Sequence, residues 1–223
     1  HAGAINETQI EVVSLHSEHI DEKNVEAQLQ SLDGLIVAPG FGDRGIEGKI
    51  TAIAHARTHD IPFLGICLGM QMAVIEYSRN VVQLPDANST EMEPDCSSPV
   101  IDLMESQKSV VNKGGTMRLG AWDCQLEEHS LVKTIYGSKT ISERHRHRYE
   151  FNNDFMATVF DDTLQVVGVN PDTGLVEIIE NKKHPWFVGV QFHPEYKSTV
   201  ANPHPLFVAF ATAALTHALD RKR

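Results

Sequence analysis

The 223-residue chain is 41% hydrophobic and 22% charged, with a formal net charge of −11, which fits one well-buried domain and excludes the basic face of a duplex nucleic-acid binder. No apolar run nears the roughly 20 residues needed to span a bilayer, and no secretory leader pattern is evident. The three scattered cysteines, Cys67, Cys96 and Cys124, suit no disulfide framework and point to a reducing cytoplasm.

In chain order, residues 9–15 read as a short strand and residues 25–32 as a short helix. Leu35, Ile36, Val37 and Ala38 form a continuous apolar run closed by Pro39-Gly40, the pattern of a strand buried on both faces. Ile46, Ile50, Ile53, Ala54 and Arg57 recur at helical spacing, residues 63–66 read as the next strand, and residues 70–79 as its following helix. This alternation predicts βαβ units. Residues 80–113 lack clear periodicity and are expected to be loop with short strands. Residues 165–169 and 175–180 flank Pro171-Asp172-Thr173-Gly174, a hairpin turn signal. After an apolar strand at 187–192, Leu206, Phe207, Phe210, Ala211, Ala214, Leu215 and Ala218 stripe a closing helix. The fold class expected is α/β: a central, mostly parallel sheet flanked by helices, with a smaller antiparallel hairpin region, as a single domain over residues 1–223.

Gly65-Ile66-Cys67-Leu68-Gly69 stands at the switch from strand to helix. Small residues two positions either side of a nucleophile permit the sharp turn that lifts its side chain clear of the sheet. Cys67 is then at a helix N-terminus, where amide dipoles favour the attacking thiolate. A base and its orienter follow downstream, where an apolar strand delivers His193 and Pro194 ends the ladder. Glu195 is close enough to hold the imidazole in one tautomer.

Together these strings resemble the class I (triad) glutamine amidotransferases, and in detail their branch formed by the glutaminase domains of CTP synthases. The further strings carrying the likeness are Pro39-Gly40-Phe41-Gly42-Asp43-Arg44-Gly45, Cys67-Leu68-Gly69-Met70-Gln71, Asn88-Ser89-Thr90-Glu91, Gly114-Gly115-Thr116-Met117-Arg118-Leu119-Gly120, and Arg144-His145-Arg146-His147-Arg148-Tyr149. They run in family order along nearly the whole chain. Against that family, the first strand and most of the first helix are missing ahead of His1-Ala2-Gly3, and so is the synthetase portion.

The resemblance implies catalysis by Cys67, His193 and Glu195, and glutamine recognition by Phe41, Gln71, Glu91 and Arg148. Glu91 can hold the substrate ammonium and Arg148 its carboxylate. Oxyanion donors are expected from the amides of Leu68 and Gly40. Many relatives carry Pro-Gly-Gly-Phe-Gly where this chain has Ala38-Pro39-Gly40-Phe41-Gly42, and Pro39 has no N–H to give. The family also implies a GTP-responsive loop at 114–120, with Arg118 its cation. No metal or cofactor is expected in this domain; ATP, Mg²⁺ and the GTP activator belong to the full enzyme. Partners implied are L-glutamine, the protein's own N-terminal synthetase domain and, at full length, a homotetramer.

Residues 144–148 leave three readings open: metal binding, phosphate binding, or a stripe facing the synthetase domain. Neighbouring arginines would repel a metal ion and no carboxylate or Cys partner is expected beside the histidines, which disfavours metal. The alternatives for the whole chain are a stand-alone hydrolase of related fold, such as a γ-glutamyl hydrolase, or a catalytically silent regulatory module. The 114–120 and 144–148 strings argue against the first, and the intact triad residues against the second.

Overall fold

A computed structural model describes residues 1–103 and 117–222. After a short helix α1 (Ala2–Ile5) the chain passes through irregular backbone and a 3-10 turn at Ser17–His19 to α2 (Val25–Leu29), then alternates β1 (Leu35–Val37), α3 (Ile46–Thr58), β2 (Phe63–Ile66) and α4 (Leu68–Asn80). Further strands are β3 (Ala87–Ser89), β4 (Ser98–Leu103), β5 (Arg118–Leu126), β6 (Thr140–His147), β7 (Tyr149–Phe151), β8 (Leu164–Val169), β9 (Val176–Asn181) and β10 (Phe187–Val190). A helix at Pro205–Asp220 closes the chain.

Among the described residues seven strands form one mixed sheet in the order β1-β2-β10-β9-β8-β5-β6. β1, β2 and β10 are parallel neighbours, with Phe63 level with both Leu35 and Phe187. From β10 outward every pairing is antiparallel. The α/β class stands, with a parallel part smaller and an antiparallel part larger than the strand–helix rhythm predicts. The reason is connectivity. Among the described residues α3 and α4 act as crossovers; later strands are joined largely by turns and short connections, which reverse direction.

Every residue of β2 and β10 is buried, and side chains alternate between two cores. Phe63 and Phe187 stack at 4.3 Å in the core built on α3 and α4, with Ile53, Met70 and Ile75. Leu64, Ile66, Val188 and Val190 face the other core, where Trp186 meets Phe210 of the C-terminal helix. Each side chain so buried contributes about 1.5–3 kcal/mol. Three strands, β3, β4 and β7, form a second, smaller sheet. The 170–175 turn is as expected: Asn170 Oδ1 accepts from the amides of Asp172 and Thr173, and Gly174 takes a positive φ of 70°.

Three expectations need correction. Residues 9–15 are not a strand: Ile10 and Val12 are exposed, and among the described residues no strand runs beside them to complete a ladder. β1 is not buried on both faces, because it is the edge strand and Ile36 is 43% exposed. The stretch from Arg118 to Gly120 is not loop but the start of β5, paired with β6 from Arg118↔His147. Gly114, Gly115 and Thr116 lie outside the described residues. No helix among the described residues is long and apolar enough to cross a membrane.

Candidate active site

The turn between β2 and α4 is sterically tight. A Cβ on Gly65 would lie 2.7 Å from the backbone of Gly69, and one on Gly69 would lie 2.1 Å from the carbonyl oxygen of Val37. With both positions bare, α4 starts directly against the sheet. Cys67 at the apex carries φ 52° and ψ −103°, a conformation rare for any side chain larger than hydrogen. Its amide donates to Val190 O at 2.7 Å, locking the apex to the end of β10.

The thiol is 2% exposed, and burial pushes its pKa up to about 12. The charges of Glu195 and Glu91 act in the same direction; hydrogen bonds from the Leu68 amide and from Gln191 oppose it. The pull of the helix amides toward the thiolate is thus opposed by burial. The helix amides do reach the sulfur, yet desolvation outweighs them.

Because β10 runs parallel to β2, its C-terminal end delivers His193 to the edge where Cys67 stands. The His193 amide donates to Arg144 O at 2.8 Å, and the ring lies flat on Tyr196, 4.8 Å between centroids. Nδ1 is 2.6 Å from Glu195 Oε1. Nε2 is buried and has no hydrogen-bond partner among the described residues. With Glu195 accepting the Nδ1 proton, Nε2 is left as an acceptor.

Gly40, Phe41, Cys67, Gln71, Glu91 and Arg148 line one narrow cleft, which His147 and Tyr149 complete. Gly40 packs on Leu68: a Cβ there would come within 3.1 Å of Leu68 Cδ2. Phe41 is half exposed at the rim, with the Arg146 guanidinium 5.7 Å above its ring. Glu91 Oε1 accepts from the Gly42 amide at 3.1 Å, which anchors the acid to the same loop. Gln71 Nε2 donates to Tyr149 O at 2.8 Å. An acid and a guanidinium in one cleft with a thiol suit an amino acid bound as a zwitterion.

Two features escaped sequence reasoning. Gln191, fully buried, places Nε2 3.6 Å from Cys67 Sγ; the signal was one polar residue in the apolar string 187–192. The second is a buried charge cluster behind the site. Arg118 pairs with Glu177 at 2.7 Å and Glu150 at 3.5 Å, its guanidinium 4.8 Å over the Trp122 ring. His145 and His147 point inward at the same cluster, His145 Nε2 being 3.4 Å from Glu177 Oε2. The 144–148 string therefore splits by strand alternation: Arg144 and Arg146 face out and the histidines face in. Carboxylates do meet those histidines, from β9 and β7, contrary to the view from neighbouring sequence. Burial raises Glu150 and Glu177 to about 7, and lowers His145 to about 2 and His147 to about 3. Arg118, 5% exposed and engaged by two carboxylates, is not presented to an incoming anion.

A family model described as glutamine amidotransferase class-I matches residues 1–213. The chain is 61% identical over 222 residues to a CTP synthase of Christiangramia forsetii, covering 100% of this chain and 41% of that protein. It is 62% identical over 215 residues to a CTP synthase of Flavobacterium johnsoniae, covering 96% of this chain and 40% of that protein. The chain thus spans about two fifths of the length of these curated relatives. Among solved structures, the glutaminase domain of the Trypanosoma brucei CTPS with bound acivicin superposes at a TM-score of 0.90. It is 36% identical, with 96% of this chain and 84% of that one covered. A glutamine amidotransferase from Thermotoga maritima, 14% identical with a TM-score of 0.56 over 99% of this chain and 76% of that one, shares the fold.

Proposed function

The chain belongs to the class-I glutamine amidotransferase family, among the glutaminase domains of CTP synthases, and on that premise we propose that Cys67, His193 and Glu195 hydrolyse L-glutamine. The observation that carries this reading is the pairing at one sheet edge of a strained, buried thiol with an imidazole whose Nε2 is unengaged.

Glutamine binds with its ammonium at Glu91 and its carboxylate at Arg148, while Phe41 and Gln71 border the side chain. Entry of the substrate brings the δ-carbonyl carbon to the thiol. The Cys67 proton passes to His193 Nε2, sulfur bonds to the carbonyl carbon, and the oxyanion is met by the amides of Leu68 and Gly40. The imidazolium, stabilised by Glu195, returns that proton to the amide nitrogen as the C–N bond breaks and ammonia leaves. A water then gives a proton to the same imidazole, its oxygen attacks the thioester, and glutamate departs as the C–S bond breaks and sulfur regains its proton. The upward push of burial on the Cys67 pKa suits this order, in which the proton leaves as the substrate is attacked.

The ammonia serves a synthetase portion outside this chain, which aminates UTP at the expense of ATP. ATP and Mg²⁺ belong to that portion. GTP activation involves the 114–120 segment, without direct contact to Arg118. In the cell the full protein works in the cytoplasm as a homotetramer. The test is intact mass after incubation with a glutamine-analogue electrophile. One adduct on the wild type, absent from Cys67→Ala and blocked by excess glutamine, is expected. Labelling that survives Cys67→Ala overturns the assignment.

A further inference from the structure

Gln191 occupies the first position after β10 and has no exposed surface. Its amide donates to Glu177 O at 2.8 Å, fixing the backbone. Its carboxamide is fixed as well. Oε1 accepts from Gln71 Nε2 at 3.2 Å, so the amide nitrogen must face the other way, and it lies 3.6 Å from Cys67 Sγ. Gln71 in turn donates to Tyr149 O. A continuous line of donors and acceptors therefore runs from the cleft wall at Tyr149, through two carboxamides, to the sulfur.

The polarity of this line matters. A wholly buried carboxamide with both ends engaged cannot rotate without leaving a polar atom unpaired, at about 1–3 kcal/mol. Its N–H is thus committed to the sulfur. Hydrogen bonds to a charged acceptor are roughly twice as strong as neutral ones, so this contact strengthens as the thiol loses its proton. The Leu68 amide approaches the same atom from α4, whereas Gln191 comes from the strand that carries His193.

We infer that Gln191 is a further catalytic residue. Its side-chain N–H holds the Cys67 sulfur in one orientation and stabilises the thiolate, and Gln71 couples that contact to the substrate cleft. The coupling to substrate rests on the glutaminase reading above; the contact with sulfur does not.

The test compares the purified protein with Gln191→Met, which keeps volume and removes both hydrogen bonds, and Gln191→Glu, which still accepts from Gln71 but sets a carboxylate against the sulfur. Iodoacetamide alkylation of the Cys67 peptide is followed against pH by peptide mapping, which separates it from Cys96 and Cys124. Alkylation of Gln191→Met should slow about tenfold at neutral pH, with its profile moved to higher pH. Gln191→Glu should move it further, although the link to Gln71 is kept; a purely structural role would instead be rescued. Glutamine turnover should show kcat falling more than KM rises. Wild-type alkylation rate and profile in folded Gln191→Met overturn the inference. Should that variant fail to fold by circular dichroism, wild-type alkylation in Gln191→Glu overturns it instead. Absence of glutaminase activity in the wild type would sink the functional reading, while the alkylation result would still decide the role of Gln191.

Discussion

Gly69 on α4 lies so close to Val37 on β1 that a methyl group at position 69 would stand 2.1 Å from the Val37 carbonyl oxygen. Backbone on both sides leaves nothing soft to yield. Gly69→Ala is expected to destabilise the fold by about 3 kcal/mol or more, at the upper end for overpacking. Gly42→Ala is the control: nothing lies within 4 Å of its Cβ, so only its positive φ of 76° is penalised, at about 1–2 kcal/mol. Urea unfolding of both variants checks the ranking, and equal losses would contradict it.

Cys67→Ala should lower glutamine hydrolysis by about a thousandfold or more while leaving the circular dichroism spectrum unchanged. Cys67→Gly is the sharper probe of strain. Relief of the unusual backbone at φ 52° is worth about 1–3 kcal/mol, against roughly 1 kcal/mol for the lost buried side chain. Its melting temperature should equal or exceed that of the wild type. A clear drop would mean that the apex stores no strain.

Glu195 Oε1 sits 2.6 Å from His193 Nδ1 and fixes which nitrogen carries the proton. Glu195→Gln keeps the size but admits the wrong tautomer, and kcat should fall by about a hundredfold or more with KM little changed. Steady-state kinetics against glutamine decide it; a rise in KM alone would place Glu195 in binding.

Stability should respond to pH through the cluster around Arg118. Burial raises Glu150 and Glu177 from the usual 4.5 to about 7. Folded-state values above the unfolded ones mean that stability falls as pH rises from about 4.5 to 7. Burial lowers His145 to about 2 and His147 to about 3 from the usual 6.5, so their terms make stability fall as pH drops below about 6.5. Glu150→Gln removes one carboxylate term. Its stability relative to wild type should therefore rise between about pH 5 and pH 8. Urea titrations at several pH values measure this, and an opposite or absent trend would return Glu150 to the ordinary carboxylate range.

What the sequence determined by itself was the local stereochemistry. The glycine spacing around Cys67 announces the turn because the requirement is short-range: Gly65 and Gly69 touch across four residues. The strands at 63–66 and 187–190 were legible because continuous apolar runs must be buried on both faces. Tertiary structure decided what those elements meet. β5 and β6 pair over eight residues whose alternation was masked by arginines on the outer face. Arg118 looked like a loop cation because its two carboxylates, Glu150 and Glu177, stand on separate strands. The protonation of Cys67 likewise depended on the assembled site. A helix N-terminus argues for a thiolate, but burial at the junction of β2, β10 and the cleft loop removes the water that would solvate it. Desolvation is a property of everything packed around an atom, and no stretch of neighbouring sequence contains it.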